Sequence, residues 1–329
     1  MRRIDEKLAK IAGGDYAPQD FLLVFAKDAD LLRGCAAPGR DAQGRMRPLS
    51  AYLDDVQRVI DADLADILLT SLSTAEALAD RAAFGRRNVT PAVRFNDATD
   101  AWRVRGGRYA QEPARAFRSS RLDAVRPVAN LGLYALSFYN DAELDHATLR
   151  AYSDFRDVAV TLGLRHFLQV ADPPFAIETG TQDYAAYRND MVARSLAGIG
   201  RKERPVFVTV GYHGAAATEE LARWDPARLV VGLTAARGGT LRDSLERLAQ
   251  AERHGARLAV VSRESLACED PVLLLQAMRR VLRDRLGSFE AVRAYHDDLA
   301  KAGIPPLRAL QDDAELTDPV LKAHEIRAA

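Results

Sequence analysis

The sequence predicts an α/β fold and, within that class, a (β/α)8 TIM barrel. Short apolar runs rich in β-branched residues alternate with amphipathic helical stretches through most of the chain. Eight such units follow one another, which is the number that closes this kind of barrel. The alternative, a doubly wound open sheet, usually carries a G-x-G-x-x-G turn after its first strand. The first predicted strand is followed instead by KDADLLRGCAAPGR, so the barrel is favoured.

The predicted strands are apolar runs that end at polar or turn-forming residues. They cover residues 21–28, 66–71, 91–97, 131–141, 166–172, 205–213, 229–234 and 258–262. Helical periodicity fills most of the intervening segments, at residues 50–63, 74–84, 142–162, 184–199, 218–224, 240–254 and 271–286. Only the segment after the third strand lacks a convincing helix.

We expect a single barrel domain over residues 1–329, with three additions to the repeat. Residues 1–18 are predicted to form an N-terminal helix that closes the barrel floor, and residues 287–329 a C-terminal helical extension. Residues 98–127 form a long insertion between the third and fourth strands that contains seven arginines. Because long connections of this kind are commonly functional loops or interfaces, the insertion is interpreted as either a lid over an anionic ligand or a subunit contact.

The composition disfavours several classes of protein. Lys and Arg together number 46, as do Asp and Glu, so we expect neither nucleic acid nor an anionic membrane as a partner. No run of about 18 apolar residues predicts a membrane span. The charged opening segment does not predict a secretory signal. Two cysteines without C-x-x-C spacing predict no disulfide framework and favour the cytoplasm.

The carboxyl ends of the strands carry the candidate functional residues, because barrel enzymes place their chemistry there. Lys27 and Asp28 end the first strand. A lysine in that position would be partly desolvated and would need the neighbouring carboxylate, which favours a functional role for the pair. The other strand ends add mostly acidic and aromatic residues: Asp97, Tyr139, Asn140, Asp141, Asp172, Tyr212 and His213.

A phosphate site is predicted at the last two strand ends. Arg237, Gly238 and Gly239 follow the seventh strand and lead directly into a helix, and Ser262 and Arg263 follow the eighth. A glycine-rich turn at a helix N-terminus offers unpaired N–H groups and the positive end of the helix dipole, which together bind phosphate. Barrels commonly hold phosphate in these two loops.

Three segments are also similar to one enzyme family. Residues 255–282 read GARLAVVSRESLACEDPVLLLQAMRRVL, the first strand ends in Lys27-Asp28-Ala29, and residues 138–141 read FYND. These segments resemble class I aldolases of the archaeal-type fructose-bisphosphate, tagatose-bisphosphate and deoxyribose-phosphate group, which are (β/α)8 barrels. The resemblance implies a homo-oligomeric lyase of carbohydrate metabolism that acts on a phosphorylated small molecule. It assigns Asp28 as the active-site aspartate, Tyr139 as a proton donor, and Ser262 and Arg263 to phosphate.

The chain departs from that family at the sixth strand, where the aldolases form a Schiff base on a lysine. Thr209 and Gly211 stand where that lysine would be expected, and neither can form an imine. The chain has only six lysines, and Lys202 precedes the strand, at the wrong end of the barrel. Of the six, only Lys27 falls at a predicted catalytic strand end.

Three interpretations of the missing lysine stay open. Lys27 could be a relocated nucleophile, although an acidic neighbour would keep its amine charged. No cofactor is otherwise predicted, but Asp28, Asp172, Glu178 and His213 could bind a divalent metal ion that replaces the imine, in a lyase or a sugar-phosphate isomerase. The protein could also be a non-catalytic binder with an aldolase-like barrel.

Overall fold

The computed structural model describes residues 2–41, 43–85, 87–181, 183–234, 238–261 and 268–328. Eight parallel strands form a closed barrel, as the sequence predicts. The barrel strands are β1 (Leu22–Lys27), β2 (Ile67–Thr70), β3 (Thr90–Arg94), β6 (Leu131–Leu136), β7 (Arg165–Val170), β8 (Val208–Val210), β9 (Val231–Thr234) and β10 (Leu258–Val261). Two further short strands, β4 (Asn96–Ala98) and β5 (Ala116–Arg118), form an antiparallel hairpin inside the predicted insertion.

Thirteen α-helices lie in the described part of the chain. They are α1 (Arg3–Gly13), α2 (Ala29–Arg33), α3 (Leu49–Ala62), α4 (Leu72–Asp80), α5 (Leu122–Val125), α6 (Ala142–Thr161), α7 (Tyr184–Ala197), α8 (Ala215–Trp224), α9 (Leu241–Arg253), α10 (Pro271–Arg283), α11 (Ser288–Lys301), α12 (Leu310–Asp313) and α13 (Pro319–Ala328). The segment after β3, where no helix is predicted, contains only the four-residue helix α5. None of the described helices has the length and apolar character that a membrane crossing requires.

The alternation of side chains along each strand separates the barrel interior from the helix layer. On β1, Leu22, Val24 and Ala26 pack in the interior with residues of the other strands. Leu23 and Phe25 point the other way and pack against the helices. The close strand spacing needs a glycine on β9, because a Cβ at Gly232 would lie 2.3 Å from Leu258 Cγ.

Helix α1 closes the floor of the barrel, where Ile4 packs against the interior cluster. Three cations surround the buried carboxylate of Asp66, which stands just before β2. Arg3 Nε and Lys7 Nζ each lie 2.9 Å from its Oδ1, and an amino nitrogen of Arg279 lies 2.7 Å from Oδ2. The same three side chains donate to backbone carbonyls at the strand entrances, so they join α1, α10 and the barrel.

The insertion packs at the end of the barrel opposite to α1, and the C-terminal extension packs on the side of the barrel. The insertion folds toward the short helix α2 after β1, since the Arg103 amide donates to the Leu32 carbonyl at 2.7 Å. The extension packs on α9, where the carboxylate of Asp243 accepts hydrogen bonds from the amides of Thr317 and Asp318 at 2.7 and 3.0 Å. These contacts tie both additions to the barrel.

Candidate functional site

A cavity of about 650 Å³, called the mouth cavity below, opens at the carboxyl ends of the barrel strands. Residues from all eight barrel strands or the loops that follow them line it, together with the first part of the insertion. Its described charged lining consists of three aspartates and four arginines: Asp28, Asp100, Asp172, Arg33, Arg94, Arg103 and Arg105. The volume suits a small molecule, and the arginines suit an anionic one.

One wall of the cavity is formed by an ion pair between Asp28 and Arg94. The Arg94 guanidinium lies 3.0 Å from Asp28 Oδ2, and both side chains are less than a tenth exposed. Arg94 also donates through Nε to the Asn96 carbonyl at 3.0 Å. Asp28 follows Ala26 on the interior side of β1, which explains why it reaches the cavity. The pair therefore places one negative and one positive charge, both buried and held in position, in the wall of the mouth cavity.

The opposite wall presents Asp172, which follows β7. Its Oδ2 lies 3.0 Å from His213 Nε2, and its Oδ1 accepts a hydrogen bond from the Tyr184 hydroxyl at 3.1 Å. Burial acts to raise the pKa of Asp172, but the hydrogen bond and positive charge of His213, the charge of Arg188 and the Tyr184 hydrogen bond outweigh it. The pKa therefore lies below its usual range, and Asp172 is a carboxylate at neutral pH.

A buried arginine supports this aspartate from behind. Arg188 on α7 is only 2% exposed and donates to the Gly211 carbonyl at 2.6 Å, at the end of β8. A Cβ at Gly211 would lie 2.0 Å from Asp172 Oδ2. The backbone of β8, fixed by Arg188, thus packs directly against the carboxylate.

Tyr139 lies beneath the insertion, next to the cavity wall. Its hydroxyl donates to Asp100 Oδ2 at 3.3 Å and accepts from the Ala114 amide at 2.7 Å. Burial and the negative charge of Asp100 raise its pKa, so the hydroxyl stays protonated. Asp100 lines the cavity, whereas Tyr139 is outside the described lining. Tyr139 therefore contacts the cavity through Asp100.

Lys27 lies on the other side of β1 from Asp28 and is not in the described lining of the cavity. Its Nζ lies 5.8 Å from the centre of the Phe25 ring and 5.7 Å from that of Tyr52 on α3. Burial lowers the pKa of this amine. The structure thus separates Lys27 from Asp28, which the sequence placed together.

The structure describes both positions where the resemblance implies a Schiff-base lysine. Thr209 on β8 is fully buried, and Gly211 has no room for a side chain, because it faces Asp172 at the distance given above. No lysine is present in the described lining of the cavity.

The predicted phosphate turn is only partly described. Arg237, Ser262 and Arg263 lie outside the described residues, while Gly238 and Gly239 are exposed and not in the cavity lining. The adjacent N-terminus of α9 already binds carboxylates of this chain. The Leu241 amide donates to Asp313 Oδ1 at 2.9 Å, and the Thr240 amide to Asp243 Oδ2 at 2.9 Å. A phosphate at these amides would have to displace Asp313 of the C-terminal extension.

The residues predicted as metal ligands are only partly brought together. Asp172 and His213 are in contact, but the Glu178 side chain is exposed and its carbonyl accepts a hydrogen bond from Asn140 at 2.7 Å. Asp28 lies on the first strand and pairs with Arg94. Among the described residues, no group of three His, Cys, Asp or Glu side chains is placed to hold a metal ion.

Sequence reasoning missed several residues of the site: Arg94, Asp100, Arg103, Tyr184 and Arg188. An arginine inside the apolar run PAVRFND was the one available signal, because a charge in a barrel strand needs a partner. The positions of the other four depend on how the insertion and α7 pack.

Comparison with known proteins supports the same architecture. No protein-family model matches the chain, and no curated protein matches it in sequence. Among solved structures, an archaeal fructose 1,6-bisphosphate aldolase superposes with a TM-score of 0.56 at 13% identity, over 85% of this chain and 98% of that one. The fructose-bisphosphate aldolase from Slackia heliotrinireducens DSM 20476 gives 0.59 at 14% identity, over 89% of each chain. Cgl0159 from Corynebacterium glutamicum gives 0.55 at 15% identity, over 86% and 93%.

The structural neighbours are thus archaeal-type fructose-bisphosphate aldolases and related aldolase-like barrels. At this level of sequence identity they show the fold alone.

Proposed function

From the aldolase-like fold and the chemistry of the cavity, we propose that the protein is a carbon–carbon lyase that acts on a small phosphorylated carbonyl compound without a Schiff base. One observation carries the proposal. A cavity that suits a small molecule presents an ionised aspartate, held by His213 and Tyr184, opposite arginines that can bind an anion.

Substrate binding would rest on the arginines of the mouth. Arg103 and Arg105 belong to the insertion and line the cavity together with Arg94. Guanidinium groups bind phosphate through two parallel hydrogen bonds, which fixes the orientation as well as the charge. This assigns phosphate recognition to the insertion and supports its interpretation as a lid.

The bond-breaking step would begin with proton transfer to the Asp172–His213 pair. The pair removes the proton from the substrate hydroxyl, the carbon–carbon bond breaks, and its electron pair moves onto the carbonyl to form an enolate. A guanidinium group among the arginines of the cavity lining balances the negative charge on the enolate oxygen. The enolate carbon then takes a proton back, which yields two carbonyl products and restores the pair.

A sugar-phosphate isomerase is the second candidate. It needs only removal of a proton from the carbon next to the carbonyl, which a carboxylate base performs without an amine. The absence of lysine from the described cavity lining favours this candidate as much as an imine-free lyase. The homo-oligomer implied by the resemblance stays a prediction.

The test is turnover of a panel of ketose and aldose phosphates, with product analysis that separates cleavage from isomerisation. Asp172→Asn should lower the rate by roughly 100- to 10,000-fold, the range for loss of a general base. Asp157→Asn, on the exposed face of α6, is the matched control and should leave the rate unchanged.

A borohydride-trapped substrate adduct on Lys27 would contradict the mechanism. If wild-type protein binds the panel but turns over none of it, the non-catalytic interpretation replaces ours. Loss of turnover on exhaustive chelation would support the metal-assisted alternative.

A further inference from the structure

A second cavity, of about 440 Å³, lies at the closed end of the barrel. Residues that precede β1 and β2 line it, among them Pro18 and Asp63, together with α1 and α10. The mouth cavity is lined instead by residues at the carboxyl ends of the strands. The two cavities are thus at opposite ends of the barrel, and this one has no part in the proposed reaction.

Five cationic side chains line the closed-end cavity: Arg3, Lys7, Arg279, Arg280 and Arg283. Among the described residues of its lining, Asp63 and Asp284 are the only carboxylates. Asp66 behind the wall adds a third, in contact with Arg3, Lys7 and Arg279, and Asp298 pairs with Arg280 at 2.7 Å. Five positive charges therefore face four negative ones. The Arg283–Asp284 ion pair is exposed and hence weak, so Asp284 does little to fix the Arg283 side chain.

The inner cations are crowded. The pKa of Lys7 is lowered because burial and the positive charges of Arg279 and Arg3 together outweigh the attraction of Asp66. An anion in the cavity would relieve this repulsion. The outer cations, Arg280 and Arg283, are well placed to hold it, because they lie on the same stretch of α10 as Arg279 and line the cavity with it.

We propose that the closed-end cavity is a binding site for a small polyanion that carries two or more phosphate-like charges. A single charge would add little to cations that already have carboxylate partners. A diphosphate group can contact several guanidinium groups at once, each through paired hydrogen bonds. The site is independent of the proposed lyase activity and would serve to anchor a ligand or to stabilise the fold on binding.

The test is calorimetric titration of the full-length protein with pyrophosphate, in parallel with inorganic phosphate and citrate, at low and moderate salt. We expect pyrophosphate to bind at least tenfold more tightly than inorganic phosphate, with affinity that falls as salt rises. Citrate as the tighter ligand would assign the site to polycarboxylates, contrary to the proposal.

Variants locate the site. The double change Arg280→Gln and Arg283→Gln removes two cations that are not part of the Asp66 cluster, so the fold should persist, and it should weaken pyrophosphate binding about tenfold or more. The double change Arg121→Gln and Arg223→Gln, at exposed surface ion pairs outside both cavities, is the matched control and should leave this binding unchanged. The proposal is overturned if pyrophosphate does not bind, if the Arg280 and Arg283 double variant binds as well as wild type, or if pyrophosphate binding is lost only in Arg103→Gln, a variant of the cavity at the carboxyl ends of the strands.

Discussion

Two aspartates at opposite ends of the barrel show how the same chemical group serves two purposes. Asp66 precedes β2 at the closed end, is fully buried and contacts three cations. Asp172 follows β7 at the open end, is about one-third exposed and contacts a histidine and a tyrosine. The pKa of each lies below its usual range despite the opposing effect of burial. In Asp66 the cause is mainly the charges of Arg279 and Lys7, and in Asp172 mainly the His213 hydrogen bond.

The two carboxylates differ in whether a ligand can reach them. Asp66 is not itself in the lining of the closed-end cavity, and three cationic side chains contact its oxygens, so its charge stabilises the junction of α1, α10 and the barrel. Asp172 lines a cavity and its side chain is about one-third exposed, so a ligand in that cavity can reach it. A fully buried charge that protein groups surround is structural, and an accessible charge next to a cavity is available for chemistry.

The largest expected effect follows from removing the closed-end charge. Asp66→Asn leaves three partly buried cations without their common partner and should lower the free energy of unfolding by about 3–5 kcal/mol. Asp172→Asn should lower it by only about 1 kcal/mol, the value of a hydrogen bond that solvent can partly replace. Chemical denaturation of both variants measures the difference. Equal losses would remove the distinction between the two ends.

A smaller effect concerns pH. His166 on β7 is buried with its Nε2 2.8 Å from the Tyr152 hydroxyl, and burial lowers its pKa to about 3. Below the unfolded pKa of about 6.5 the unfolded chain binds a proton that the folded protein does not, so stability is lost as pH falls from 6.5 toward 3. The loss at pH 5 relative to pH 7 should be about 2 kcal/mol. His166→Gln should flatten this dependence, whereas His213→Gln should preserve it and lower turnover instead, because it removes a partner of Asp172.

A third effect tests the packing behind Asp172. Gly211→Ala would force the Asp172 carboxylate to move, because the new Cβ has no space beside Oδ2. We expect a stability cost of about 1 kcal/mol, from the lost Tyr184 and His213 hydrogen bonds. Turnover should fall nearly as far as in Asp172→Asn. Gly198→Ala, at a position with no neighbour within 4 Å of a Cβ, is the control, and wild-type turnover in Gly211→Ala would refute the role of this wall.

The smallest effect is expected at Lys27. Replacement of this buried amine by an apolar side chain, Lys27→Met, preserves contact with the Phe25 and Tyr52 rings and removes a desolvated charge. Stability should stay within about 1 kcal/mol of wild type or rise, because no ion pair with a described carboxylate is lost. Turnover should not change. A loss of turnover with the fold intact would restore Lys27 as a catalytic group.

Much of the fold could be predicted from the sequence because each strand and helix has its own local signal. All eight predicted runs coincide with barrel strands, and the N-terminal and C-terminal helices lie where the pattern indicates. The boundaries were less well predicted. The run at 91–97 continues past β3 into the hairpin strand β4, and the run at 205–213 contains a strand of only three residues, Val208–Val210.

Some residues of the cavity wall were predicted from the sequence, while their roles stay predictions. Asp28 and Asp172 do reach the cavity, and His213 contacts Asp172. Lys27 does not, although it is the immediate neighbour of Asp28, because successive side chains on a strand point to opposite faces. The arginines of the mouth, Arg94 and Arg103 among them, were not identified, since which of the seven arginines in the insertion face inward depends on the path of that loop.

The sequence by itself determined the number and order of the strands, the place of the insertion and the absence of a lysine from β8, because these follow from local periodicity and residue identity. Only the tertiary structure decided which charged groups meet. It separated Lys27 from Asp28, seated Asp313 on the α9 amides and gathered three cations from α1 and α10 around Asp66. The physical reason is that the free energy of a charge depends on distances and burial between segments far apart in the chain, and no local pattern contains those distances.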